Sequence, residues 1–234
     1  MLSNNKRILR DVAQVTGPSK EMLETTGIYY HADESNLFHG TAMFVGKKDT
    51  PYFGGYYFFD IMFPNDYPFA PIRVKSLTQD GRTRFNPNMY LDGKVCLSIL
   101  NTWHDGPQWT SIQTLESVLL VIMADVLNAV PLANEPMYYN AGLNAEAKIY
   151  NRMLFHSNVN TAVLTMLKAP PPFAIPFVHA MNAVFQTNVA DILQVTEMHM
   201  VEWDGRTETL SVFGMTAFYD FARLAKDLRT HHKN

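Results

Sequence analysis

The sequence predicts an α+β fold: a short N-terminal helix, a four-stranded antiparallel meander sheet, C-terminal helices, and then a helical C-terminal extension. Three observations predict it. Across residues 25–77 the apolar residues come in short aromatic and β-branched runs, joined by connections too brief for parallel crossovers. Before and after that stretch they recur at helical spacing instead. Near residue 169 the string Ala169-Pro170-Pro171-Pro172 stops a long helix, because consecutive prolines cannot continue one.

Taken in order, Asn4 or Asn5 is placed to cap a helix over about 6–14. Ile8, Leu9, Val12 and Val15 make its apolar face, and Lys6, Arg7 and Arg10 lie opposite. Strands follow at 27–31, 37–45, 56–63 and 72–77, separated by turn-rich segments at 33–36, 46–55 and 64–71. Residues 78–112 hold no long periodic run, only Gly, Pro, Asn and Asp turns around Cys96; so long a loop in a compact domain is usually functional. Leu115, Val118, Leu119, Ile122, Met123 and Val126 then mark one helix, and residues 145–167 another. Beyond the prolines come two helical stripes, Phe177 to Leu193 and Phe218 to Leu228, the first expected as a packing face. The chain therefore divides into a first domain, 1–168, and an extension, 169–234.

Composition narrows the function. The 234 residues give room for one ample core, or one domain with an appendage. With 47% hydrophobic and 18% charged residues the chain reads as a soluble globular protein, and a net charge of −3 argues against nucleic-acid binding by bulk electrostatics. The start, Met1-Leu2-Ser3-Asn4-Asn5-Lys6-Arg7, lacks the apolar stretch of a signal peptide. The most apolar helical stretch, 118–126, contains Asp125 and is far too short to span a membrane. Neither nucleic acid nor membrane is an expected partner. One cysteine without an export signal points to a reducing compartment, the cytoplasm or the nucleus as well. The eight histidines show no metal-ligand spacing, so no metal is expected, and His231-His232 reads as a solvated tail. No phosphate-binding Gly-rich motif is present, so no nucleotide cofactor is expected.

The lone thiol lies in Asn86-Pro87-Asn88-Met89-Tyr90-Leu91-Asp92-Gly93-Lys94-Val95-Cys96. It cannot form an internal disulfide, which leaves core filler or nucleophile. A loop cysteine can hold an acyl group as a thioester. Attack by an amine then creates a tetrahedral oxyanion, to which a side-chain amide such as Asn88 can donate. Pro87 stiffens the loop, and Asp92-Gly93 is a tight-turn pair able to return Cys96 to Asn88. As isolated residues, Cys96 reads more readily as a buried small hydrophobe and Asn88 as a turn residue.

The full strings shift that balance. Asn86-Pro87-Asn88, Asp92-Gly93-Lys94-Val95-Cys96-Leu97-Ser98-Ile99-Leu100, Trp103 and Trp109 resemble the core of ubiquitin-conjugating enzymes. So do Pro51-Tyr52-Phe53-Gly54-Gly55 and Phe63-Pro64-Asn65-Asp66-Tyr67-Pro68-Phe69-Ala70-Pro71, and the likeness covers about 5–168 in the family's order. Arg84-Phe85-Asn86-Pro87-Asn88, Asn101-Thr102-Trp103, Asn134-Glu135-Pro136 and the helical extension resemble a subset of larger members, the Z type.

The resemblance implies that Cys96 takes ubiquitin or a ubiquitin-like modifier from an activating enzyme, for the Z type the less common of two. It implies transfer to a substrate lysine, usually with a ligase. Asn88 would then stabilise the oxyanion or order the loop, and Asn86, where most members have His, would brace it. ATP would be consumed upstream, by the activating enzyme. Lys6, Arg7 and Arg10 occupy the activating-enzyme surface, which could also be an ordinary solvated face. Phe69, Ser111 and Ile112 match the two ligase-contacting loops, although Phe69 could instead be tucked into the core.

One departure matters. Many members carry an acid just before the Pro131-Leu132 pair, and here that residue is Val130. Keeping a lysine neutral at about pH 7.4 costs about 4 kcal/mol from a reference pKa near 10.4. Asp105, in the Trp103-His104-Asp105-Gly106-Pro107 insertion, is the candidate replacement, with Leu132 as a possible gate; the plainer reading of Asp105 is a solvated loop aspartate. Two rival functions remain: a non-catalytic binder of ubiquitin or a ligase, and a hydrolase pairing Cys96 with His104.

Overall fold

The computed structural model describes residues 2–140 and 142–233. Helix α1 spans Leu2–Thr16, starting earlier than its sequence signals suggest. Asn5 is therefore inside the helix rather than capping it, and the Asn4 side chain, the other expected cap, lies outside the described residues. Ile8 and Val15 are buried, but Leu9 is exposed, and its expected inward place belongs to the buried Asp11. At 100° per residue, positions 8, 11 and 15 share a face that Leu9 leaves. Asp11 is satisfied there by the Arg7 Nε at 3.0 Å and by the Tyr67 hydroxyl. A short helix α2, Lys20–Thr25, leads into the sheet.

Strands β1 (Ile28–Ala32), β2 (His39–Val45), β3 (Tyr56–Met62) and β4 (Arg73–Ser76) form the expected antiparallel meander in the order β1-β2-β3-β4. The central strands read as unbroken apolar runs because both faces of the sheet are covered. Ala42, Phe44, Tyr57, Phe59 and Ile61 point into the main core. Their alternates Met43, Val45, Tyr56 and Phe58 pack with Met166, Ala174, Phe177 and Met181, most of which follow the proline run. The extension is thus the second cover of the sheet.

Helix α3, Leu115–Val121, starts at a capping box of Thr114 with Ser117 and runs into a π-helical turn, Ile122–Val126. Helix α4, Ala145–Ser157, is capped by Asn144 and passes through a π-helical segment, Asn158–Thr165, into α5, Met166–Lys168. After the turn at the prolines, α6 runs from Val178–Trp203. The extension is not helical throughout. A hairpin of β5 (Thr207–Leu210) and β6 (Met215–Phe218) precedes the last helix, α7, Phe221–His232. Phe218 consequently lies in a strand and is exposed, not on a helical stripe. His231 is not in a solvated tail: it sits in α7, half-buried, with its ring 5.2 Å from Phe185.

The apolar core continues across the proline turn, since Phe185, Val189, Ile192, Leu210, Phe221 and Leu228 belong to the main core. A glycine makes that docking possible: a Cβ on Gly54, whose φ is +72°, would clash with Ile192 Cδ1, while Gly55 leaves room within the first domain for the Asn158 side chain. An ion pair fastens the hairpin: Arg152 on α4 binds both Glu208 carboxylate oxygens at 2.6 and 2.7 Å, with its guanidinium 3.4 Å from the Trp203 ring centre. Burial raises the Glu208 pKa, but the bonds from Arg152 and Tyr219 outweigh it and hold the carboxyl below its ordinary value. Among the described residues no single helix is long and apolar enough to cross a membrane.

Candidate active site

Two short arms and a turn bring Asn88 and Cys96 together. Gly93, at φ +90°, allows the reversal, and Asp92 Oδ1 accepts from Lys94 N at 2.9 Å to close it. Tyr90 N then donates to Lys94 O, and Cys96 N donates to Asn88 O, both at 2.9 Å. The Asn88 side chain completes the pair by donating from Nδ2 to Cys96 O at 2.6 Å. Cys96 is buried, 3% exposed.

Asn86 braces this loop from beneath. Fully buried, it donates from Nδ2 to Val126 O at 2.7 Å and to the Tyr52 hydroxyl at 3.0 Å, while its Oδ1 accepts from Asn88 N at 2.8 Å. Tyr52 in turn donates to Phe85 O at 2.7 Å. Burial pushes the Tyr52 phenol far above its ordinary value, against the opposing Asn86 bond, so it stays a neutral donor.

Two supporting residues were not singled out as site candidates from the sequence. Asn134 Nδ2 donates to Asn88 Oδ1 at 2.8 Å and to Asp125 O at 2.7 Å, and Asn134 Oδ1 accepts from Asn128 at 3.0 Å. With its oxygen held, the Asn88 carboxamide must turn its NH2 toward Cys96. Thr102 bridges the residues flanking the thiol, accepting from Leu97 N at 2.9 Å and donating to Val95 O at 2.9 Å. Asn134 and Thr102 stand in strings the sequence draws attention to, yet no spacing rule links Asn134 to a residue 46 positions away.

Beside this pair lies a cleft of about 170 Å³, lined among others by Asn88, Trp103, Asp105, Asp125, Asn134 and Tyr139. Asp105 is exposed there, 3.6 Å from His104 Nε2. Asp125 is a second carboxylate residue on the same cleft, read from the sequence only as an interruption of an apolar helix. Val130 packs, half-buried, against the core. Leu132 is 1% exposed within the main core, so it is no gate at the cleft surface; its neighbour Ala133 lines the cleft instead. His104 is turned to Trp103, with ring centres 5.3 Å apart, and among the described residues no hydrogen bond joins it to Cys96.

The expected partner surfaces separate. Lys6 and Arg10 are exposed. Arg7 is half-buried and engaged within the chain: it is bonded to Asp11 and donates to Ser111 O at 3.1 Å and Gln113 O at 2.6 Å, tying α1 to the loop before α3. Phe69 and Ile112 are 78% and 83% exposed, and Ser111 is exposed beside Ile112. Trp109 Nε1 donates to Pro68 O at 2.8 Å and so joins the two loops that carry them.

An antiparallel meander backed by helices, with a lone loop cysteine held against an asparagine amide, is the ubiquitin-conjugating fold. The chain matches the family described as ubiquitin-conjugating enzyme over residues 7–163, and it belongs to that family. It is 38% identical over 167 residues to ubiquitin-conjugating enzyme E2 Z of Xenopus tropicalis, covering 71% of this chain and 52% of that protein. To E2 Z of Homo sapiens it is 37% identical over 180 residues, covering 76% and 49%. The chain thus spans about half the length of these curated relatives. A solved ubiquitin conjugating enzyme E2 domain of Toxoplasma gondii shares the fold, with a TM-score of 0.50 at 23% identity over 67% of this chain and 97% of that one.

Proposed function

We propose that Cys96 accepts ubiquitin or a ubiquitin-like modifier from an activating enzyme by transthioesterification and passes it to a substrate lysine, usually with a ligase. The observation that carries this is the Asn88 amide, held 2.6 Å from Cys96 O and fixed in orientation by Asn134. In the first step the Cys96 thiolate attacks the carbonyl of the incoming thioester and the activating enzyme's thiolate leaves. In the second, a neutral lysine amine attacks the new thioester, the oxyanion collapses, and the Cys96 thiolate departs as the amine loses its proton. The second N–H of the Asn88 amide is free to meet that oxyanion. Lys6 and Arg10 supply charge for the activating enzyme, while Phe69 and Ile112 offer an apolar anchor to a ligase, with the polar Ser111 beside them.

Incubation with an activating enzyme, ATP and ubiquitin should give a thiol-sensitive adduct. Cys96→Ser should convert it to a thiol-resistant oxyester or abolish it. No adduct with either kind of activating enzyme and a panel of modifiers would sink the assignment and leave the non-catalytic binder.

The acid absent at Val130 is supplied, in this reading, from across the cleft by Asp105 and Asp125. Each carboxylate can orient the incoming neutral amine and accept the proton it loses on attack. Asp105→Ala and Asp125→Ala should each slow discharge to free lysine by about tenfold, less than the roughly 10²–10⁴-fold of a sole general base because the other carboxylate remains, and leave thioester loading unchanged. Unchanged discharge in the double variant would remove both from the reaction.

A further inference from the structure

The hairpin of the extension reaches the loop that carries Asn88. Phe213 lies in the 3-10 turn Ser211–Phe213 joining β5 to β6. Its ring centre is 5.2 Å from the Arg84 guanidinium and 5.3 Å from the Tyr150 ring, and the Tyr150 hydroxyl donates to Arg84 O at 2.5 Å. Arg84 lies where the forces on it matter most. It donates to Pro87 O at 2.6 Å, one residue before Asn88, and its guanidinium sits 3.8 Å from the ring centre of Tyr90 on the same loop. Its Nε is buried without a hydrogen-bond partner, and among the described residues no carboxylate pairs with it. Rings and one carbonyl therefore hold this guanidinium in place. The base of the hairpin is fixed by the Arg152–Glu208 pair, which makes its tip a firm support.

We propose that Phe213 is a positioning residue, acting through Arg84 to hold the Asn86-Pro87-Asn88 loop in register with Cys96. On the proposed thioester chemistry, which this inference rests on, the extension then sets the discharge rate as well as covering the sheet. A free Arg84 would release Pro87 O and loosen the backbone beneath Asn88, so that the amide is placed less firmly where charge develops.

The test compares Phe213→Ala, Phe213→Tyr and Ile192→Val in the whole chain. Ile192 is buried in the extension against Gly54, so its variant loosens the extension without touching the loop. Phe213→Ala should load normally yet discharge to lysine about 3- to 30-fold more slowly, the range a cation–π contact commands. The loss should fall in kcat with KM for lysine unchanged; Phe213→Tyr should restore the rate, and Ile192→Val should not lower it. Backbone amide exchange gives a readout independent of activity. The Cys96 N–H, bonded to Asn88 O, should exchange faster in Phe213→Ala, while Phe44 and Phe59 in the central strands do not change. Wild-type discharge by Phe213→Ala, unchanged exchange at Cys96, or equal slowing by Ile192→Val would overturn the proposal. If the wild-type chain takes no modifier, the functional assignment fails, and the exchange result alone decides the role of Phe213.

Discussion

Asn88→Ala is expected to slow discharge of the Cys96 thioester to free lysine by about 10²–10³-fold, the loss typical of one oxyanion donor. The amide has two N–H groups: one donates to Cys96 O while Asn134 holds the oxygen, and the other is the donor proposed for the oxyanion. Removing it therefore strips the transition state of a donor and the Cys96 carbonyl of its partner. Asn88→Asp should be no better, because an ionised carboxylate donates nothing and repels an oxyanion. Asn134→Ala leaves the amide present but free to rotate, so it should reproduce part of the loss. Single-turnover discharge, with loading measured separately, checks all three. Wild-type discharge by Asn88→Ala would mean that the amide only orders the loop.

The largest effect on stability is expected from Asn158→Ala. Asn158 is fully buried at the start of the π-helical segment, where its Oδ1 accepts from the Tyr57 hydroxyl at 2.8 Å and its Nδ2 donates to Phe53 O at 2.9 Å. Burial pushes the Tyr57 phenol well above its ordinary value, so it remains a neutral donor that needs an acceptor. Alanine would leave a buried hydroxyl and a buried carbonyl unpaired, at about 1–3 kcal/mol each. The summed loss of about 2–6 kcal/mol should lower Tm by roughly 4–24 °C in a chain of this size. Tyr57→Phe orphans only one oxygen and should cost less. A thermal melt shifted by under about 2 °C would show that water or repacking satisfies the freed groups.

Local physics made much of this protein legible in its sequence. Aromatic and β-branched runs with turn chemistry between them place the meander within a residue or two of its strands, and Asp92-Gly93 marks the reversal that returns Cys96 to Asn88. The misreadings come where distant contacts override a local signal. Leu9 fits an apolar periodicity that ignores the buried pairing of Asp11 with Tyr67. Arg7 has the charge of a partner-facing residue, but its donors are claimed by Ser111 and Gln113, over a hundred positions away. Leu132 follows Pro131 in a motif whose exposure no motif can state. The β5–β6 hairpin lacks a strong strand signal and is fastened by Arg152 and Tyr219, which both bond to Glu208.

By itself the sequence determined the order of the first helix, the four meander strands and the long helices that follow, the break at the prolines, and the tight turn that can return one thiol to one asparagine. Those features arise from dihedral preferences and periodicities within a few residues. Only the tertiary structure decided which way the Asn88 amide faces, that Asp125 shares a cleft with Asp105, and that the extension both covers the sheet and reaches Arg84. Each of these depends on contacts between residues brought together by packing alone, and such contacts leave no local trace in the chain.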